Sequence, residues 1–138
     1  MSNLDIAKIA ALFSGPASTD AFGWRDELLN ALNPTPIVNV TPLTGDTITV
    51  ASPDDVTYNL TPAGTLATLN FVLPAAVNAR IGQKVTIFST QIVTALTVTI
   101  AAAGTNGGTA LTALAVKVAH QWQCISISGT VATWVLMY

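Results

Sequence analysis

Lys84-Val85-Thr86-Ile87-Phe88-Ser89 and Leu96-Thr97-Val98-Thr99-Ile100 change character at every step. In an extended chain successive side chains point to opposite faces, so Val85, Ile87 and Ser89 take one side and Lys84, Thr86 and Phe88 the other. Leu96, Val98 and Ile100 likewise oppose Thr97 and Thr99 across the pleat. The same period of two runs outward from this centre. Ile48 and Val50 alternate with Thr47 and Thr49, and Leu69, Phe71 and Leu73 with Asn70 and Val72. Asp55 to Leu60, Leu111 to Val118, Trp122 to Ser128 and Val131 to Met137 complete a series of about eight strands, separated by turn pairs such as Asn106-Gly107 and Ser128-Gly129. After Pro36 no strand alternates with a helical pattern. A parallel α/β sheet is therefore disfavoured, and the expected fold is mainly β, an antiparallel β-sandwich or jelly roll.

The first part of the chain has a different period. Ser2 and Asp5 have the spacing of a capping box, and Ile6, Ile9, Ala10 and Phe13 recur at helical spacing until Ser14-Gly15-Pro16. A second helical stripe, Ala21, Trp24, Leu28 and Leu32, starts near Ser18 to Asp20 and ends at Asn33-Pro34. Helices this short are marginal in isolation, so their apolar stripes need a surface to dock on. Pro34-Thr35-Pro36 reads as a stiff hinge. The expected organisation is a short N-terminal helical arm with its hinge over residues 1–36, followed by a β domain over 37–138.

Charge is scarce. Asp, Glu, Lys and Arg make up 9% of the 138 residues, where soluble domains average about 25%. From Val56 to Tyr138 the charged residues are Arg80, Lys84 and Lys117 alone. The outward strand positions are filled mainly by threonine, whose branched Cβ packs well on a pleated surface. Uncharged strand edges invite unregulated pairing unless ordered assembly covers them. A neutral, threonine-lined β domain is expected to bury part of its surface against neighbouring protein.

The charge-free run between Lys84 and Lys117 is interrupted by threonines, Gln91 and Gly104-Thr105-Asn106-Gly107-Gly108, so it contains no apolar span of about 20 residues. No membrane partner is expected. Asp5 and Lys8 break what would be the apolar core of a signal peptide, and retention in the cytoplasm of the producing cell is the expectation. The single cysteine, Cys124, fits a reducing compartment. A formal net charge of −2 offers no basic footprint for nucleic acid.

Few side chains in the β domain can carry chemistry: Asp46, Asp54 and Asp55 are its carboxylates and His120 its imidazole. His120 stands beside Gln121-Trp122 at a strand entrance without a second His or Cys near it in sequence, and reads as structural. Cys124 alternates with Ile125 and reads as a small buried hydrophobe. Ser52-Pro53-Asp54-Asp55 reads as a turn rather than half of a calcium site. Gly104 to Gly108 lacks the lysine of a phosphate loop and reads as a hairpin loop. Asn39-Val40-Thr41 and Asn59-Leu60-Thr61 match the glycosylation pattern, and read as coincidences in a threonine-rich chain. Two readings stay open for Trp122 and Trp134 on the last two strands: an aromatic platform for glycan, or filling of the core or a subunit interface. No catalytic residue, cofactor or metal is expected, and the chain does not read as an enzyme.

Tyr58-Asn59-Leu60-Thr61-Pro62-Ala63-Gly64 through Leu73-Pro74, continued by Arg80-Ile81-Gly82-Gln83-Lys84-Val85-Thr86-Ile87, resembles a β module of tailed-bacteriophage virion proteins. In that module a strand ending in Leu-Pro leads to a Gly-Gln-x-Val-x-Ile strand, and a Trp-containing hairpin closes the chain. The resemblance covers roughly the last 80 residues. It implies a trimeric β module on a capsid or fibre, with an N-terminal segment for attachment or trimer contact, and it supplies no catalytic residues. The expectation is a capsid decoration or cement protein, made in the host cytoplasm and carried on the virion. It would act as a homo-oligomer, expected to be a trimer, and bind the major capsid protein or another virion protein through Ile6, Ile9, Phe13, Phe22 and Trp24. The alternative is a tail-fibre or receptor-binding module that recognises host glycan through Trp122 and Trp134.

Overall fold

Apolar residues at every second position fix which side of each strand is buried, and the strands they form fall into two sheets. The computed structural model describes residues 35–138, within which the unit Thr35–Tyr138 is compact. Its strands are β1 (Ile37–Val40), β2 (Thr47–Thr49), β3 (Val56–Leu60), β4 (Leu66–Leu73), β5 (Lys84–Ser89), β6 (Val93–Ile100), β7 (Thr105–Asn106), β8 (Ala119–Ser128) and β9 (Val131–Leu136). One sheet has the order β1-β3-β5-β8-β9-β7 and the other β2-β4-β6. The expected helical arm, with Ile6, Ile9, Phe13, Phe22 and Trp24, lies outside the described residues.

The mainly β class holds, but the antiparallel sandwich or jelly roll does not. β1, β3 and β5 are parallel neighbours, as are β2, β4 and β6. The chain alternates between sheets, one strand in each, and so winds through three stacked coils in a solenoid-like path. Parallel neighbours need a long crossover, which is usually a helix. Here each crossover is itself a strand of the opposite sheet. The absence of a helical period after Pro36 therefore does not exclude parallel pairing. Between the named strands, antiparallel pairing occurs where β8 joins β5 and turns through Gly129 into β9, and one isolated antiparallel bridge joins Val93 to Leu114.

Stacking places like on like. Thr57 lies beside Thr86 and Tyr58 beside Ile87 on the next coil, polar on polar and apolar on apolar. Asn39-Val40-Thr41-Pro42 lies directly on Asn59-Leu60-Thr61-Pro62: the Asn59 Nδ2 donates to Asn39 Oδ1 at 2.9 Å, the Thr41 and Thr61 hydroxyls are 3.2 Å apart, and the Thr61 N–H donates to the Val40 carbonyl at 2.8 Å. The two sequence triplets with the glycosylation pattern are thus successive copies of one corner of the coil.

The core lies between the sheets. Inward rows Val56–Val85–Trp122 and Tyr58–Ile87–His120 from one sheet meet Ile48–Phe71–Val98 and Leu69–Leu96 from the other. Phe71 joins them, edge-on to Tyr58 with ring centroids 5.5 Å apart and 5.8 Å from Trp122. At about 25 cal/mol per Å² of apolar area withdrawn from water, these rows supply the main driving force for folding.

Two loops differ from the sequence expectation. The run Leu111 to Val118 is not a strand. Leu114 alone among its side chains is buried, exchanging two backbone hydrogen bonds with Val93 at 3.0 Å, and Lys117 turns the chain with φ +60°. Gly104 to Gly108 is not a simple hairpin loop, because Thr105-Asn106 pairs in parallel with β9. Gly104 is required there: a Cβ at that position would lie 1.9 Å from the Ile100 side chain.

Candidate assembly surface

Six charged side chains fall within residues 35–138: Asp46, Asp54, Asp55, Arg80, Lys84 and Lys117. Four of them gather at one corner, where the turns leading into β3 and β5 stack. The Arg80 guanidinium stands 3.8 Å from both Asp54 and Asp55, and the Asp55 carboxylate accepts the Lys84 N–H at 2.9 Å. These pairs are exposed and worth little individually. The fastening beneath them is Gln83, which is completely buried. Its Nε2 donates to the Ser52 carbonyl at 2.8 Å and the Asp54 carbonyl at 3.1 Å, and its Oε1 accepts the Arg80 N–H at 3.3 Å. Gly82, at φ +89°, sets up the approach and donates its N–H to the Cys124 carbonyl at 2.7 Å. Gly82-Gln83 is therefore a structural staple between coils. Its role was not evident from sequence, where a glutamine next to a lysine looks like ordinary surface.

The residues that could have carried chemistry are dispersed. The turn at Ser52 is closed by its own hydroxyl, which accepts the Asp54 N–H at 3.1 Å. Among the described residues no three His, Cys, Asp or Glu side chains come together to hold a metal ion. His120 is the second residue of β8 and sits in an inward row, its Nδ1 buried without a hydrogen-bond partner. Cys124 is fully buried. Burial pushes its thiol up, and the S–H contact to the Ser126 carbonyl at 3.7 Å pulls only weakly the other way, so the thiolate needed for nucleophilic attack is suppressed. Burial also pushes the Tyr58 phenol up. Among the described residues no helix is long and apolar enough to cross a membrane.

Trp122 and Trp134 were the candidates for an aromatic glycan platform, and here the structure overturns that reading. Both indoles have 0% exposure and lie in the core. Strand alternation puts them on the inward side with Cys124, and their area is spent on burial rather than on an open stacking face. The Trp134 Nε1 donates to the Pro74 carbonyl at 3.1 Å, whereas the Trp122 Nε1 is buried without a partner.

Among the described residues, the two sheets also present outward faces. On the β2-β4-β6 sheet the rows read Thr47–Asn70–Thr97, Thr49–Val72–Thr99 and Thr68–Ala95. Not one of these side chains is charged. The larger sheet presents Thr57–Thr86–Gln121 and Lys84–Gln123, with Gln121 Nε2 donating to Thr86 Oγ1 at 3.0 Å. No protein-family model matches the chain, and no curated protein or solved structure matches it.

Proposed function

We propose that this chain is a non-enzymatic virion structural protein, a capsid decoration or cement protein of a tailed phage that binds the shell as an oligomer and stabilises it. The observation that carries the reading is the uncharged, threonine-rich outward face of β2-β4-β6. Such a face gives up little hydration energy when covered, and its short branched side chains lose little rotamer freedom. The resemblance of Tyr58 to Ile87 to a phage virion β module supplies the kind of assembly. Each copy would add a small apolar contact between shell subunits, and repetition over a lattice would multiply the gain. The contacts proposed for the shell are Ile6, Ile9, Phe13, Phe22 and Trp24 on the N-terminal arm. The fibre-tip alternative loses its recognition element with the burial of Trp122 and Trp134.

Binding of the purified full chain to empty shells of its phage tests the reading by co-sedimentation. Saturable binding is expected, with a higher temperature of shell disruption. A chain lacking residues 1–33 should lose that binding. Failure of the full chain to co-sediment at any concentration overturns the proposal, and undiminished binding by the shortened chain removes the arm from it.

A further inference from the structure

We infer that Asn106 is a site of spontaneous covalent modification, a deamidation site that the pairing of β7 with β9 holds closed and that opens when β7 lifts away. The inference stands apart from the assembly reading above.

Asn106 is the one asparagine in the chain followed by glycine. The amide carbon of an asparagine can be attacked by the backbone nitrogen of the next residue, and a glycine there puts no Cβ in the path. The Gly107 nitrogen gives up its proton and bonds to Asn106 Cγ, the bond from Cγ to Nδ2 breaks, and ammonia leaves with that proton. Water then opens the five-membered imide at either carbonyl. One opening gives aspartate; the other gives isoaspartate, in which the main chain runs through the former side-chain carbon. The sequence of steps consumes water alone.

An Asn-Gly pair between strands ordinarily marks a tight hairpin turn with both residues at positive φ. Neither Asn106 nor Gly107 has a positive φ, and Asn106 lies instead in register with Trp134 in a parallel ladder. Gly107 serves packing: a Cβ there would stand 2.9 Å from the Thr133 side chain, and a Cβ at Gly108 would stand 3.2 Å from that of Val135. Close approach to β9 thus places the least hindered neighbour beside an exposed asparagine.

The same approach restrains the reaction. The Gly107 N–H donates to the Trp134 carbonyl at 2.8 Å, and Asn106 Oδ1 accepts the Gly108 N–H at 3.2 Å. A nitrogen whose proton is engaged resists losing it, and carrying that nitrogen onto Cγ breaks the ladder. β7 is two residues long and lies at the edge of its sheet, so it can open without unfolding the domain. Either product adds a negative charge to a stretch, Val56 to Tyr138, whose charged residues are otherwise Arg80, Lys84 and Lys117. Isoaspartate also lengthens the backbone and takes Thr105-Asn106 out of register with Thr133-Trp134. β7 then cannot close as before, and the edge of β9 is left uncovered.

Incubation of the full chain in mildly alkaline buffer, folded or in guanidinium chloride, tests the inference by mass spectrometry of the tryptic peptide 85–117, in which Asn106 is the only asparagine. The mass gain of amide-to-acid conversion should appear at Asn106 in the unfolded chain. It should be at least about tenfold slower in the folded chain, the factor for an opening cost of about 1.4 kcal/mol. Gly104→Ala sets a Cβ 1.9 Å from the Ile100 side chain at the entrance to β7, and should raise the folded-state rate by roughly that same factor. Thr105→Ala is the milder variant, removing the 3.2 Å hydroxyl contact to Thr133, and should raise the rate about twofold to fivefold. Far-ultraviolet circular dichroism confirms that each variant is folded. An unfolded chain that stays unmodified at Asn106 overturns the site. Equal rates in folded and unfolded chains overturn the closure by β9, as do folded variants that react no faster than wild type.

Discussion

The three stacked coils and the hairpin that closes them solve the same burial problem by different means. In the coils, β1 to β6, parallel register sets each residue on its counterpart, and polar side chains pair along the ladder, as Asn59 does with Asn39 and Asn70 with Thr47. In the closing hairpin, β8 and β9, the pairing is antiparallel and slips between Cys124 and Ser126. Among the described residues, that hairpin holds both buried tryptophans and both buried side-chain polar atoms that lack a partner, His120 Nδ1 and Trp122 Nε1. Repetition lets the coils satisfy their polar groups with modest side chains. The end of the stack has no next coil to copy, and large rings fill the space at the cost of imperfect polar pairing.

The largest effects should therefore come from the hairpin. Trp122→Ala or Trp134→Ala removes a fully buried ring and should cost about 3–5 kcal/mol, enough to unfold a marginal domain. The two phenylalanine variants separate the tryptophans. Trp134→Phe leaves the Pro74 carbonyl without its donor, whereas Trp122→Phe removes a donor that had no acceptor. Urea unfolding should find Trp134→Phe the worse of the two by about 1–2 kcal/mol. Equal losses would mean that the unpaired Trp122 nitrogen carries no penalty, and the contrast between coils and hairpin would weaken.

Next comes the staple that joins the coils at the charged corner. Gln83→Leu keeps the volume but removes two donors and an acceptor, and should cost about 1–3 kcal/mol. Gln83→Glu sharpens the test through pH. An ionised carboxylate at this buried site faces two carbonyls and donates to neither, so burial raises its folded-state pKa above the unfolded value. Stability of that variant should be greatest at acid pH, where the carboxyl is protonated, and should fall as pH rises through the folded-state value. A Gln83→Glu chain whose difference from wild type is independent of pH would show that the side chain is not held among those carbonyls.

Strand existence was legible because the apolar period of two is strong in every coil, and β5 in particular spans the residues its alternation marks. Topology was not, because the same alternation serves parallel and antiparallel neighbours alike. The deciding signal was a repeat rather than a period: Asn39-Val40-Thr41-Pro42 and Asn59-Leu60-Thr61-Pro62 are consecutive layers of one corner. The third layer hides the repeat, since Phe88-Ser89-Thr90 occupies the same place with neither Asn nor Pro. Trp122 and Trp134 could be placed on strands from sequence, but which side they faced depended on a hairpin whose register slips at Cys124, and no periodicity reports that slip. The scarcity of charge was legible as composition, while the grouping of threonines on the outward face of β2, β4 and β6 required the coil.

The smallest expected effect tests whether that repeated corner stabilises the stack or merely marks it. Asn59→Ala removes one exposed side-chain hydrogen bond and should cost about 0.5–1 kcal/mol, lowering the urea midpoint without changing the slope. If the bond to Asn39 is the source, Asn39→Ala should add almost nothing in the Asn59→Ala background, since its partner is already gone. Fully additive losses would mean that each asparagine acts through its own strand. The ladder would then be a by-product of register, and the coils would owe their order to the apolar rows alone.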